Sequence, residues 1–82
     1  MYTQTHTWIF LTRADAESHR SACRTSDRMS AFEAPTEDAA AAYLGRRYRI
    51  RRRSYGAGTV THTDRGWALV SEGFIVERKA AL

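Results

Sequence analysis

The chain has 82 residues, with 13 basic and 9 acidic side chains, a formal net charge of +4, one Cys and one Pro, and 43% of its residues are hydrophobic. That suffices for one small domain spanning residues 1–82 and is too little for a two-domain enzyme. A single Cys cannot close an internal disulfide, and no apolar run approaches the ~20 residues of a spanning helix, which excludes a disulfide scaffold and a helical integral membrane protein.

Met1 to Thr7 is polar and has no apolar h-region, so no signal peptide is expected. Together with a lone thiol at Cys23, this points to a reducing, cytoplasmic setting. Thr5 to Thr12 has strand composition, with His6, Trp8 and Phe10 on one face and Thr7, Ile9 and Leu11 on the other. Arg13 to Asp27 reads either as a short helix over about 13–25 or as a long loop. A faint stripe of Ala14, Ala16, Arg20 and Cys23, and a possible capping pair of Thr12 with Asp15, favour the helix. Arg28 to Ala34 reads as a second strand around Met29 and Phe32.

The clearest local signal follows Pro35. Thr36 is a good N-cap, Glu37 and Asp38 suit the first turn of a helix, Ala39 to Ala42 are strong helix formers, and Gly45 is a natural stop. Ala40, Tyr43 and Leu44 are expected to face the sheet. Arg47 to Tyr55 returns to extended character, and Gly56 and Gly58 are expected to break it. Thr59–Thr63 and Trp67–Ser71 read as two strands joined by Asp64-Arg65-Gly66. Ser71-Glu72-Gly73 reads as the next turn and Phe74–Glu77 as the last strand.

The expected fold is a single α+β domain: an antiparallel sheet of about four to five strands, with the Thr36–Gly45 helix as the main helix on one face. The candidate core comprises Trp8, Ile9, Phe10, Leu11, Phe32, Tyr43, Leu44, Ile50, Val60, Trp67, Leu69, Val70, Phe74, Ile75 and Val76.

Charge is unevenly placed. Residues Met1–Asp38 carry four basic and six acidic side chains, Ala39–Thr63 six basic and none acidic, and Asp64–Leu82 three of each. The net positive charge is therefore one local feature. On a strand, Arg47, Arg49, Arg51 and Arg53 project to one face at ~6.6 Å spacing, close to the spacing of successive phosphates, while Tyr48 and Ile50 meet the core. Tyr55 extends the row and is a type of side chain that stacks on bases. Arg46, Arg47, Arg49, Arg51, Arg53 and Tyr55 are thus the candidate partner-binding residues. The partner would be anionic: DNA, RNA or an acidic surface. The alternative is a solvated outer face on an Arg-rich chain. Four like charges on one strand face repel, which favours a use for them. Replacing Arg49 and Arg51 with Glu is expected to harm binding and spare folding.

Chemistry of other kinds is sparse. His19 and Cys23 have i, i+4 spacing, yet no further ligand completes a metal site. Tyr55-Gly56-Ala57-Gly58 is no phosphate loop, because no GK[ST] follows. No catalytic residues, metal or cofactor are assigned.

One block bears a family likeness. Phe32-Glu33-Ala34-Pro35-Thr36 leads into an Ala-rich helix, then Gly58-Thr59-Val60 turns into Gly66-Trp67-Ala68. This order, over roughly residues 32–82, resembles that of some small α/β anti-CRISPR proteins, in which a strand end enters the helix and a hairpin with a turn-flanking Trp follows. The resemblance implies a phage-borne inhibitor that docks on an RNA-guided surveillance complex and obstructs target DNA. It also implies basic contact residues, which here would be the Arg47–Arg53 row. This chain has a longer N-terminal part and carries Arg where that family has Lys.

The leading expectation is a non-enzymatic binding protein acting through its Arg-rich strand on a protein–nucleic-acid assembly, in the manner of an anti-CRISPR inhibitor. Direct DNA or RNA binding as an accessory or regulatory protein is the alternative. A small metal-independent nuclease or toxin is a third, and requires His6, His19 or His62 to converge with Arg.

Overall fold

The computed structural model describes residues 1–81. Its elements are, in order, β1 (Tyr2–Gln4), α1 (Arg13–Phe32), α2 (Glu37–Leu44), β2 (Arg47–Thr63) and β3 (Gly66–Lys79). The strands form one three-stranded antiparallel sheet in the order β1-β3-β2. The class is α+β as expected, but the sheet has three strands among the described residues rather than four to five. Fewer, longer strands replace the expected meander.

The largest difference lies in α1. Thr12 is extended and its Oγ1 accepts from the Asp15 N–H at 3.1 Å, as a capping residue should. From there the helix runs 20 residues. It absorbs the segment expected as a short helix and residues 28–32 of the strand expected over Arg28–Ala34. Helix growth from a capped end adds a hydrogen bond per residue, whereas an Arg28–Ala34 strand would have needed a pairing partner. The chain leaves the helix just before Pro35, which disfavours helical geometry at the residue preceding it.

The sheet is covered by α1 and not by α2. Ala16 and Asp27 of α1 are buried, and Cys23 is half-buried. Their spacing sets them on one helical face. With Phe10, Tyr48 and Val76, Ala16 forms a cluster flanked by Trp8, Cys23, Ile50 and Phe74. Helix α2 forms where its Thr36 cap and acidic first turn place it, with Thr36 Oγ1 accepting from Ala39 N. It packs on α1, however, and buries no residue. Its eight residues include four Ala, too little apolar area to displace the longer helix.

Strands β2 and β3 make one long hairpin, from Arg47 opposite Lys79 to Thr63 opposite Gly66. Gly56 and Gly58 do not end the strand. Tyr55, Gly56, Ala57 and Gly58 stand opposite Ser71 alone, a bulge that uses positive φ of 64° and 113° at the two glycines. Ser71-Glu72-Gly73 is likewise strand and not turn. Gly73 is demanded by packing, because a Cβ there would collide with the Ile9 side chain.

The strand expected over Thr5–Thr12 reduces to two bridges. Ile9 bonds to the β2 end, donating to His62 O at 3.1 Å and accepting from Asp64 N at 2.9 Å. Phe10 exchanges a pair of 2.8 Å bonds with Phe74 of β3. The N-terminal segment thereby ties the hairpin tip back to the middle of β3. Ile9, Val70 and Ile75 form a second cluster there, against Leu11, Tyr55 and Ala68.

Ile75 and Val76 point to opposite faces of β3, and each is 1% exposed. Each such burial contributes ~1.5–3 kcal/mol. Five of the expected core residues lie outside: Phe32 at 92% exposure, together with Leu44, Val60, Trp67 and Leu69.

Candidate nucleic-acid interface

β2 alternates as its sequence requires. Tyr48 and Ile50 turn to the α1 side, and Arg47, Arg49, Arg51 and Arg53 turn to the other, all four exposed. The ladder adds Glu77 and Lys79 of β3, which stand opposite Arg49 and Arg47. Glu77 is buried at 6% exposure. Arg49 Nε donates to its Oε1 at 2.8 Å, and Arg51 reaches it with Nε at 3.4 Å and Nη2 at 3.5 Å. Tyr2 of β1 lies beneath Arg49, with the guanidinium carbon 4.0 Å from its ring centroid. Lys79 Nζ is 6.0 Å from the same ring.

Four arginines and one lysine therefore share this face with one carboxylate among the described residues. Arg49 and Arg51 are only half engaged, with side-chain exposures of 46% and 53%, so part of each guanidinium faces solvent. Arg47 and Arg53 form no ion pair among the described residues. Arg47 directly opposes Lys79, a like-charge pairing that costs stability when nothing anionic is present.

One candidate residue lies elsewhere, and another is partly covered on this face. Arg46 is on the α1 side, its Nη1 2.8 Å from Asp27 Oδ1 and its guanidinium carbon 4.8 Å above the Tyr43 ring. Tyr48 donates its hydroxyl to the other Asp27 oxygen. Burial pulls the Arg46 guanidinium down, but the hydrogen bond and charge of Asp27 outweigh it and hold it above its ordinary value. Burial, then Asp27, pushes the Tyr48 hydroxyl up. Tyr55 is half-buried against the Ile9 cluster, so it offers only part of its ring. Arg52 is exposed beside Glu72 at 3.4 Å. A further aromatic side chain of this face is Tyr2, whose contact with Arg49 requires knowing that residues 2–4 pair with β3.

All three histidines gather on the α1 side with both tryptophans. His6 stacks on Trp8 at 4.3 Å and meets His19 at 4.2 Å, and Trp8 meets His62 edge-on at 6.2 Å. His62 stacks on Trp67 at 5.0 Å. The hydrogen-bond partners of His19 are Thr5 at 3.0 Å and Cys23 at 3.5 Å. The histidines thus converge with one another, and the Arg row lies on the opposite side of the sheet. Among the described residues no three His, Cys, Asp or Glu side chains come together as metal ligands. No described helix is long and apolar enough to cross a membrane.

Val70 and Ala68 turn toward Ile9, and their neighbours Leu69 and Trp67 turn outward. Val60 stands opposite Leu69 and His62 opposite Trp67, which gives the distal hairpin an exposed apolar patch. No family model, curated protein or solved structure matches the chain.

Proposed function

We propose that the chain is a non-enzymatic binding protein that engages the phosphate backbone of a nucleic acid, in the cytoplasm, through the face carrying Arg47, Arg49, Arg51, Arg53 and Lys79. The carrying observation is the like-charge pairing of Arg47 with Lys79 beside two arginines that one buried carboxylate only half neutralises. Such a face is stabilised by an anion that supplies oxygens at the strand's own two-residue repeat.

The inhibitor reading is the second form of this proposal. The exposed Val60, Trp67 and Leu69 favour it, because such patches suit contact with a protein. In that form the Arg face obstructs nucleic acid while the hairpin patch holds a protein component of an RNA-guided complex. The strand end on which that resemblance leaned is here the C-terminal end of α1 and its link to α2, while a hairpin with a turn-flanking Trp67 is present.

Titration with labelled duplex DNA and single-stranded RNA over ~50–200 mM salt tests both forms. Binding that weakens steeply with salt supports direct engagement. Weak binding to bare nucleic acid, with tight binding to an assembled RNA-guided complex, supports the inhibitor. Absence of both refutes the proposal.

A further inference from the structure

A second cationic site lies on the other side of the sheet, where the end of α2 meets α1. Arg24 and Arg28 are one helical turn apart on α1, both exposed, and neither forms an ion pair among the described residues. They line a cavity of about 180 Å³ together with Asp27, Tyr43, Arg46 and Tyr48. That is several times the ~30 Å³ a water molecule takes in the liquid.

Asp27 forms its ion pair with Arg46 and not with Arg24 or Arg28. Its residue exposure is 7%, one carboxylate oxygen holds Arg46 Nη1 and the other accepts the Tyr48 hydroxyl. Each carboxylate oxygen thus already accepts from a donor of the cavity wall. Arg46 spends one nitrogen on Asp27, and its side chain remains 30% exposed. Three guanidinium groups therefore line the cavity with one carboxylate, a surplus of two positive charges. Arg24 and Arg28 at i, i+4 repel each other.

We propose that this cavity binds a phosphate monoester. A terminal phosphoryl group carries close to two negative charges and three acceptor oxygens, which matches the charge surplus and the number of forked donors. A carboxylate, with one charge, would leave one guanidinium unsatisfied. The monoester could belong to a small phosphorylated metabolite or to the 5′ end of a nucleic acid. The site is separate from the Arg47–Arg53 face, so either proposal can fail alone.

The test follows backbone amide and arginine Nε–H NMR signals of the full chain during addition of inorganic phosphate, then adenosine monophosphate. Matched oligonucleotides with a 5′-phosphate or a 5′-hydroxyl come last. Shifts at Arg24, Arg28, Tyr43 and Arg46 are expected. Combined Arg24→Ala and Arg28→Ala should weaken phosphate binding at least about tenfold, as the loss of two charge-assisted contacts does. These side chains are exposed and unpaired among the described residues, so the variant should keep its fold, checked by its own spectrum. Arg13→Ala, at an exposed arginine outside both cationic sites, should leave the phosphate response at Arg24, Arg28, Tyr43 and Arg46 unchanged. A response to the 5′-phosphate but not the 5′-hydroxyl oligonucleotide identifies a chain end as the source, and a response to the mononucleotide alone identifies a metabolite. No shift at these residues with any probe, or shifts that persist in the Arg24/Arg28 variant, overturns the proposal.

Discussion

Arg49 Nε lies 2.8 Å from Glu77 Oε1, and the Glu77 side chain it meets is only 8% exposed. Arg51 shares the same oxygen at 3.4 Å. The Arg row is therefore not a free set of cations, because two of its members neutralise a carboxylate that would otherwise be buried and uncompensated. Arg49→Glu with Arg51→Glu would set two carboxylates against a third. Loss of ~3 kcal/mol or more is expected in urea unfolding, the scale of a broken buried pair. Arg47→Ala with Arg53→Ala touches no ion pair among the described residues and should stay within ~0.5 kcal/mol of wild type. Equal stability of the two variants would show that Glu77 does not depend on its arginines.

This division assigns separate effects to the cations on binding. Each engaged phosphate contributes ~0.9 to the slope of log K against log salt on duplex DNA. Arg47→Ala with Arg53→Ala should lower that slope by up to ~2 while leaving the fold intact. Arg46→Ala removes a cation from the opposite side and should leave the slope unchanged. A slope that drops equally for Arg46→Ala would place the interface elsewhere.

The Asp27–Tyr48 bond connects α1 to the sheet, and it too yields a measurable cost. Tyr48→Phe keeps the ring that packs on Val76 and Phe10 but removes the hydroxyl donor from a buried carboxylate. A loss of ~1–3 kcal/mol is expected, the penalty for an unsatisfied buried acceptor. The same substitution in an Asp27→Asn background should cost less, since a neutral amide demands less of its partner. Additive effects in that cycle would mean the hydroxyl and carboxylate do not interact.

What the sequence reveals and what it hides both follow from these contacts. The Thr36 cap and acidic first turn depend on neighbouring residues alone, and α2 forms where they indicate. The alternation of Tyr48 and Ile50 with the arginines is equally local and survives intact. By contrast, the buried face of α1 is built from Ala16, Cys23 and Asp27, which are small or charged, so no hydrophobic stripe announces a sheet-packing helix. Met29 and Phe32 look like core and lie exposed, which is what gave Arg28–Ala34 the look of a strand. The engagement of Glu77 depends on the register of β2 against β3. That register runs through a bulge of residues 55–58 opposite Ser71, a relation between distant segments with no local signature. Tyr2 and β1 are hidden for the same reason, since a three-residue strand is too short to show a period.

The ring of His19 makes stability depend on pH. Thr5 Oγ1 donates to Val76 O at 3.0 Å, so its hydroxyl proton is committed, and the 3.0 Å contact with His19 requires the ring to donate from Nε2. Protonation then adds charge at Nδ1 of a half-buried ring, 4.2 Å from His6. Burial first, and His6 second, hold the His19 pKa below its ordinary 6.5. The unfolded chain therefore binds the proton more readily than the folded one. The contribution of this ring to stability is complete above 6.5 and is lost as pH falls from 6.5 through the lower folded value. Carboxylates titrate mainly near ~4, so they leave this window clear. The melting temperature of the wild type should fall between about pH 7 and pH 5, the span over which histidine takes up its proton. His19→Gln keeps an N–H donor for Thr5 and cannot titrate, so its melting temperature should decline less over the same span. Parallel profiles for the two proteins would show that His19 is not the group through which pH acts on stability.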